Sequence, residues 1–262
     1  MDAAEQDLLA ETLRKTMATA TGPALDSALT DLGWADLLTE APEVAVPLVF
    51  RLLGETGAHA SLLNDVVLHA AGRPLGGALP LPYTGGSWAV WERGESRTAG
   101  VSLDGELPLH VSPVGDPVPL GAGRRALGWW LLGTGRAMLA SARTHVLDRA
   151  QFGRPLASFQ AVRHRLAETL VALDGAEATL VAAADDLGSL LAKAAAGRAA
   201  LTAARHCQQV LGGIGFTAEH DLHRHVRRVI VLDGLLGSAR ELTREAGALV
   251  REGRSAPRLV QL

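Results

Sequence analysis

The sequence predicts a mainly α chain, with a helical N-terminal part, a small strand-containing segment and a C-terminal helical bundle. Three observations carry this. Seven of the twelve prolines fall between 74 and 119, and between 120 and 256 there is only Pro155, so the C-terminal half is nearly free of the residue that breaks helix interiors. Aromatic residues make up 4% of the 262 residues and apolar ones 48%, so short aliphatic side chains must fill the interior, as packed helices allow. Apolar residues also recur every three or four positions on both sides of the proline-rich stretch.

Each element follows in order. Within 1–72, Leu9, Leu13 and Met17 mark one helical face, and Leu25, Leu29 and Leu32 mark a second helix that stops at Gly33. A third helix starts at Pro42 or Pro47 and runs to Gly72, burying Leu48, Leu52, Leu62, Leu63 and Val66, with Gly54 and Gly57 marking a bend or close approach. Within 73–119, the alternating runs Ser87–Trp91 and Leu107–Val111 lie between Gly, Pro and Asp. They predict two to four short strands or an irregular connection, with Trp88 and Trp91 in the core by default. Within 120–262, a helix over 124–148 carries Gly128, Gly133 and Gly135 on one side, which permits close backbone packing. After a turn at 149–155, a long helix carries Phe159, Val162, Leu166, Leu170 and Leu173. Another spans 188–211 and stops at Gly212-Gly213, and the last runs from Gly234 to Glu252.

Composition narrows the function classes. A formal charge of −3, from 25 basic and 28 acidic side chains, lacks the basic excess of a bulk nucleic-acid binder. The single Cys207 can form neither an internal disulfide nor a cysteine-rich zinc site. The first fifteen residues carry Asp2, Glu5, Asp7 and Glu11 and no apolar run, and no membrane span is visible, so a cytoplasmic protein is expected. His220, His223 and His225 beside Arg224, Arg227 and Arg228 lack the spacing of a helical metal pair and read as a solvated or interface basic face; no metal is expected. Ser141 and Ser238 sit in no nucleophile elbow.

Two segments have the residue types for ligand chemistry. Arg149-Ala150-Gln151-Phe152-Gly153-Arg154-Pro155, followed by Phe159-Gln160, can set a guanidinium against phosphate oxygens and a ring over an aromatic ligand, or it is simply a tight inter-helix turn. Gln209-Val210-Leu211-Gly212-Gly213-Ile214-Gly215-Phe216 can expose backbone N–H groups to a phosphate or adenine, or it is a glycine helix stop.

In this order, the two segments resemble the C-terminal helical domain of the acyl-CoA dehydrogenase family, flavoenzymes that oxidise the Cα–Cβ bond of acyl-CoA thioesters. The resemblance adds Arg124 at the head of the glycine-rich helix, then Arg224 and Asp233-Gly234, and covers about 124–252; Leu32-Gly33-Trp34 weakly resembles the N-terminal helical domain. It implies an FAD at a subunit interface, with Arg149, Phe152, Gln209, Gly212 and Gly213 reaching the diphosphate and adenosine of a flavin held mainly by the neighbouring chain. Arg124 would lie on the substrate side.

The same resemblance exposes two departures. Only 73–119 is available for the family's middle β-domain, and its flavin-contacting Thr-Glu-Pro and Gly-Ser motif is absent. Where the family places its glutamate base this chain has Asp233, one methylene shorter, and the alternative base position is Gly123. Asp233 is therefore either a catalytic carboxylate or an N-terminal cap of the last helix. The resulting expectation is a shortened subunit of a heteromeric, FAD-dependent acyl-CoA dehydrogenase. Its partner would be a full-length acyl-CoA dehydrogenase chain in an α2β2 heterotetramer, supplying the β-domain and the catalytic glutamate. The substrate would be a bulky acyl-CoA such as one with a steroid side chain, and the Ala-, Gly- and Arg-rich composition is compatible with a high-GC bacterium. The alternatives are a self-sufficient homo-oligomeric dehydrogenase using Asp233, and a flavin-free helical scaffold.

Overall fold

A computed structural model describes residues 2–94 and 104–254; the 95–103 part of the proline-rich segment lies outside the described residues. Five helices form the N-terminal part: α1 (Ala3–Thr19), α2 (Pro23–Asp31), α3 (Trp34–Glu40), α4 (Pro42–Thr56) and α5 (Leu62–Ala70). Asp2 and Glu5 form a reciprocal capping box on α1. Pro42, whose missing N–H costs nothing in a first turn, opens α4, and Pro47 lies inside it. The expected single helix to Gly72 is divided in two, because Gly57 turns left-handed (φ 73°) and ends α4. Leu32 is 38% exposed, since α2 ends one residue before it.

The proline-rich segment folds as a three-stranded antiparallel sheet in the order β1 (Pro80–Tyr83), β2 (Ser87–Trp91), β3 (Leu109–Ser112), with Pro80 opposite Val90 and Val90 opposite His110. It is anchored by one residue above all. Trp91 is fully buried and stacks on Trp130 at 5.4 Å, and Trp130 meets Phe50 edge-on at 5.8 Å. Trp88 stays half-buried.

The C-terminal bundle comprises α6 (Gly121–Asp148), a two-stranded turn of β4 (Ala150–Gln151) and β5 (Arg154–Pro155), α7 (Gln160–Ala182), α8 (Asp186–Leu211), α9 (Leu222–Gly234) and α10 (Ala239–Gly253). Helix α6 is the axis of the molecule and packs on α4, α7, α8 and α9. Its glycines lie on two faces rather than one. A Cβ on Gly133 would stand 2.1 Å from the Arg51 carbonyl oxygen and one on Gly54 2.3 Å from that of Trp130, so α4 and α6 touch backbone to backbone. Gly128 and Gly135 instead receive Leu180 and Leu173 of α7.

The end of the chain differs most from expectation. The last helix begins at Ala239, not Gly234, because Ser238 and Glu241 form its capping box, and a separate helix α9 precedes it. The apolar pattern of α9 is interrupted by Arg228, which is itself buried (3% exposed). Its guanidinium pairs with Asp104 and Glu106 and donates to the Gly57 and Ala58 carbonyls at 3.3 Å. The supposed solvated basic face is thus partly an internal ion-pair network.

Candidate functional site

The chain between α6 and α7 turns back within two residues. Ala150 pairs with Pro155 and Gln151 with Arg154, leaving Phe152 and Gly153 at the tip, both with positive φ (53° and 77°). Glycine suits this conformation, but Phe152 is strained by about 1 kcal/mol. Little packing compensates: Phe152 is 89% exposed, and its ring contact among the described residues is Phe159, edge-on at 6.2 Å. Arg154 covers the Phe159 ring at 4.2 Å, which leaves the Arg149 side of the turn open.

The second segment arrives from the C-terminal end of α8. Gly212 adopts φ 67° and ψ −143°, a region open essentially to glycine alone. A Cβ on Gly215 would stand 2.7 Å from the Gln208 carbonyl oxygen, so that glycine is required by packing. Gly213 meets neither demand, since nothing lies within 4 Å of its missing Cβ. What Gly213 leaves bare is backbone facing a cleft.

That cleft, about 780 Å³, is lined by Arg149, Phe152, Gln209, Gly212 and Gly213 together, residues up to 64 positions apart in sequence. Arg149 is exposed and forms no ion pair or side-chain hydrogen bond among the described residues. Two further polar lining residues escaped the sequence reading, His145 and Arg165, and Gln151, part of the segment named there, lines the cleft as well. His145 lies in the last turn of α6, four residues before Arg149, the residue that caps the helix in extended conformation. Burial and the neighbouring His220 and Arg149 lower its pKa, so the imidazole is disposed to be neutral unless an anion arrives.

The donor set fits the adenosine-diphosphate half of a dinucleotide: an unpaired guanidinium, a second arginine, a carboxamide, bare backbone and an exposed ring. Among the described residues the other half finds no such counterpart beside Asp233. The α9–α10 loop that follows Asp233 is docked directly on the sheet, with Leu236 N–H donating to the Pro82 carbonyl at 2.7 Å and Leu235 bridging Tyr83. A Cβ on Gly234 would lie 2.6 Å from the Tyr83 ring, so the space beside Asp233-Gly234 is filled by this chain's own phenol.

Asp233 is 9% exposed, and its Oδ1 accepts from the Ala239 N–H at 3.1 Å. It is not the N-cap, as one sequence reading had it, since Ser238 holds that position; it serves the first helical N–H of α10 from the preceding helix. Gly197 of α8 makes room, because a Cβ there would stand 2.2 Å from Asp233 Oδ1. Fully buried Lys193 donates to the Asp233 backbone carbonyl at 2.7 Å and to the Gly237 carbonyl. Burial lowers the Lys193 amine to about 7 against the pull of Asp233, and burial raises the Asp233 carboxyl against the pull of Lys193. Arg124 faces the same loop: its Nε donates to the Leu236 carbonyl at 3.2 Å and its two terminal nitrogens to Glu245 at 3.3 and 3.2 Å.

Comparison with known proteins identifies the family and the fold. Residues 118–248 match the model of the acyl-CoA dehydrogenase C-terminal domain. Acyl-CoA dehydrogenase FadE34 of Mycobacterium tuberculosis is 39% identical over 131 residues, 46% of this chain and 18% of that protein. The chain thus spans much less than two thirds of the length of the curated relatives it matches. Among solved structures, the steroid ACAD Tcur3481-Tcur3483 superposes with a TM-score of 0.74 at 19% identity, covering 97% of this chain and 98% of that one. The ChsE4-ChsE5 complex of Mycobacterium tuberculosis superposes at 0.66 and 20% identity, covering 98% and 99%. These likenesses show a common fold over nearly the whole chain. With the C-terminal domain matched over half its length, this chain belongs to the acyl-CoA dehydrogenase family.

Proposed function

We propose that this chain is a subunit of a heteromeric acyl-CoA dehydrogenase and contributes the cross-interface half of an FAD site. One observation carries the reading: Arg149, Phe152, Gln209, Gly212 and Gly213 open on one cleft with the guanidinium unpaired and the ring strained outward, whereas Asp233 is buried and bonded. Arg149 binds the diphosphate, with His145 and Arg165 adding charge. Phe152 packs over the adenosine, Gln209 hydrogen-bonds its polar edge, and Gly212 and Gly213 let the backbone approach. The bound flavin supplies hydride acceptance in α,β-dehydrogenation of an acyl-CoA.

In this reading Asp233 is a structural acceptor, and the partner provides both the β-domain and the carboxylate that removes the α-proton. A base must reach its proton directly or through one water, and the Asp233 carboxylate, which borders the cleft between α8, α9 and α10, is spent on the Ala239 N–H and pressed against Gly197 of α8, with Tyr83 filling its Gly234 side. Arg124 likewise spends its donors on Glu245 and the loop, which removes it from substrate contact. The steroid ACAD and the ChsE4-ChsE5 complex among the structural neighbours support a heteromeric assembly acting on a bulky acyl group.

Visible absorbance and mass of this chain, purified alone and after co-expression with a full-length acyl-CoA dehydrogenase from the same source, test the proposal. A colourless chain alone and a yellow complex of both chains are expected. Stoichiometric flavin on the isolated chain would overturn it.

A further inference from the structure

Arg165 lines the same cleft as Arg149, but unlike Arg149 it is held from behind. Its Nη1 lies 3.2 Å from Nε2 of His206, which stands one turn before Gln209 on α8. The other ring nitrogen of His206, Nδ1, lies 2.8 Å from the hydroxyl of Thr169, a fully buried residue of α7. That hydroxyl is in turn 2.8 Å from the backbone carbonyl of Arg165, one turn earlier on the same helix. Arg165, His206 and Thr169 thus close a ring of three hydrogen bonds between α7 and α8.

The ring has one consistent direction. A carbonyl can only accept, so the single Thr169 hydroxyl proton goes to Arg165, and the hydroxyl oxygen is left to accept from His206 Nδ1–H. Nε2 then carries a lone pair and accepts from the Arg165 guanidinium. The opposite tautomer would set Nε2–H against an arginine N–H, donor against donor. The surroundings also keep the imidazole uncharged: burial lowers its pKa first, then Arg165, with Arg205 acting the same way and Glu168 and the Arg165 backbone opposing.

A neutral acceptor does for an arginine what a carboxylate cannot. Arg124 and Arg136, paired with Glu245 and with Asp174 and Glu177, are oriented and neutralised together. Arg165 is oriented by an uncharged nitrogen, and its carboxylate neighbour Glu168 is exposed and stands 3.9 Å away. Its charge therefore stays available to the cleft, while part of the rotamer freedom that an arginine loses on gripping an anion is already lost. We propose that His206 and Thr169 are positioning residues, which aim Arg165 at the diphosphate of the dinucleotide that the cleft receives. The inference rests on the cofactor reading above and adds to it a pair of residues that act only through Arg165.

The experiment is the FAD affinity of the deflavinated, co-expressed complex carrying His206→Leu, His206→Gln, Arg165→Ala, or His206→Leu with Arg165→Ala, beside Arg149→Ala and the wild type. Circular dichroism checks folding, and Thr169→Val, which removes the acceptor of Nδ1–H, is the milder change if His206→Leu does not fold. His206→Leu should weaken FAD by about three- to tenfold, and should weaken it no further once Arg165 is alanine. His206→Gln, whose carboxamide oxygen can stand in for Nε2, should restore most of the affinity, which a purely structural role for the ring would not allow. Nitrogen NMR of the histidine-labelled full chain should show the resonances lost in His206→Gln to be those of a neutral ring protonated at Nδ1. Wild-type affinity in His206→Leu, an equal loss from it with and without Arg165, or a proton on Nε2 would overturn the proposal; the cofactor reading stands in each case if Arg149→Ala weakens FAD. Unchanged affinity in both Arg149→Ala and Arg165→Ala would overturn the cofactor reading and the positioning role with it.

Discussion

The two halves of α8 treat their ligand-type residues in opposite ways. At the N-terminal half, Lys193 and Gly197 hold the Asp233 loop so tightly that amine, carboxylate and carbonyls are all buried and bonded. At the C-terminal end, Gln209, Gly212 and Gly213 open on a cleft where Arg149 is unpaired and Phe152 is exposed on a strained turn. Charged groups retained for folding are desolvated and satisfied, because an unsatisfied buried group costs several kcal/mol. Groups retained for a ligand stay wet, because their partner is absent until it binds. On the proposed function, the contrast would explain how one chain can look like a family member at both sites and serve the reaction at only one.

Substitutions at the two ends should separate on these grounds. The largest effect is expected from Lys193→Met, which orphans the Asp233 and Gly237 carbonyls and should cost about 2–4 kcal/mol in denaturant unfolding. A loss under about 1 kcal/mol would mean that the loop is held by the sheet alone. The same lysine sets a pH signature. Its folded-state pKa of about 7 is below the ordinary 10.5, so between those values the unfolded chain holds a proton that the folded chain lacks. This lysine therefore contributes stability that rises with pH through that window, and the rise should vanish in the Lys193→Met chain. Burial lowers His59 and His225 from 6.5 to about 4, so on the acid side stability should fall as pH drops from 6.5 to 4.

Asp233→Ala removes one acceptor at the start of α10 and should cost about 1–2 kcal/mol, read as a shift of the unfolding midpoint. At the other end, Phe152→Gly relieves the positive φ and should raise stability by up to about 1 kcal/mol while reducing flavin retention in the complex. Arg149→Ala should change the stability of the isolated chain by less than about 0.5 kcal/mol, since the side chain bonds to nothing among the described residues.

Much of this was legible in the residues, and what was not has identifiable causes. Helices α6 to α8 follow from the absence of proline and from apolar periodicity, and the five cleft residues could be named through the resemblance of their two segments to the family, since residue types alone left a tight turn and a glycine helix stop as open readings. Helix α9 was hidden because a buried Arg228, satisfied by Asp104 and Glu106, occupies a position where the pattern calls for an apolar residue. The Gly57 break within the third helix depends on a left-handed φ that a lone glycine does not announce. His145 was within reach, four residues from Arg149, whereas Arg165 enters the cleft only through the packing of α7 on α6 and α8.

The central claim is that this chain lends flavin contacts but no base. It is tested most directly by measuring flavin content and acyl-CoA turnover in complexes carrying Asp233→Asn or Arg149→Ala. The expected result is near-normal turnover with Asp233→Asn, and loss of flavin together with turnover with Arg149→Ala. Abolished turnover in an Asp233→Asn complex that keeps its full flavin would contradict it and make Asp233 the base.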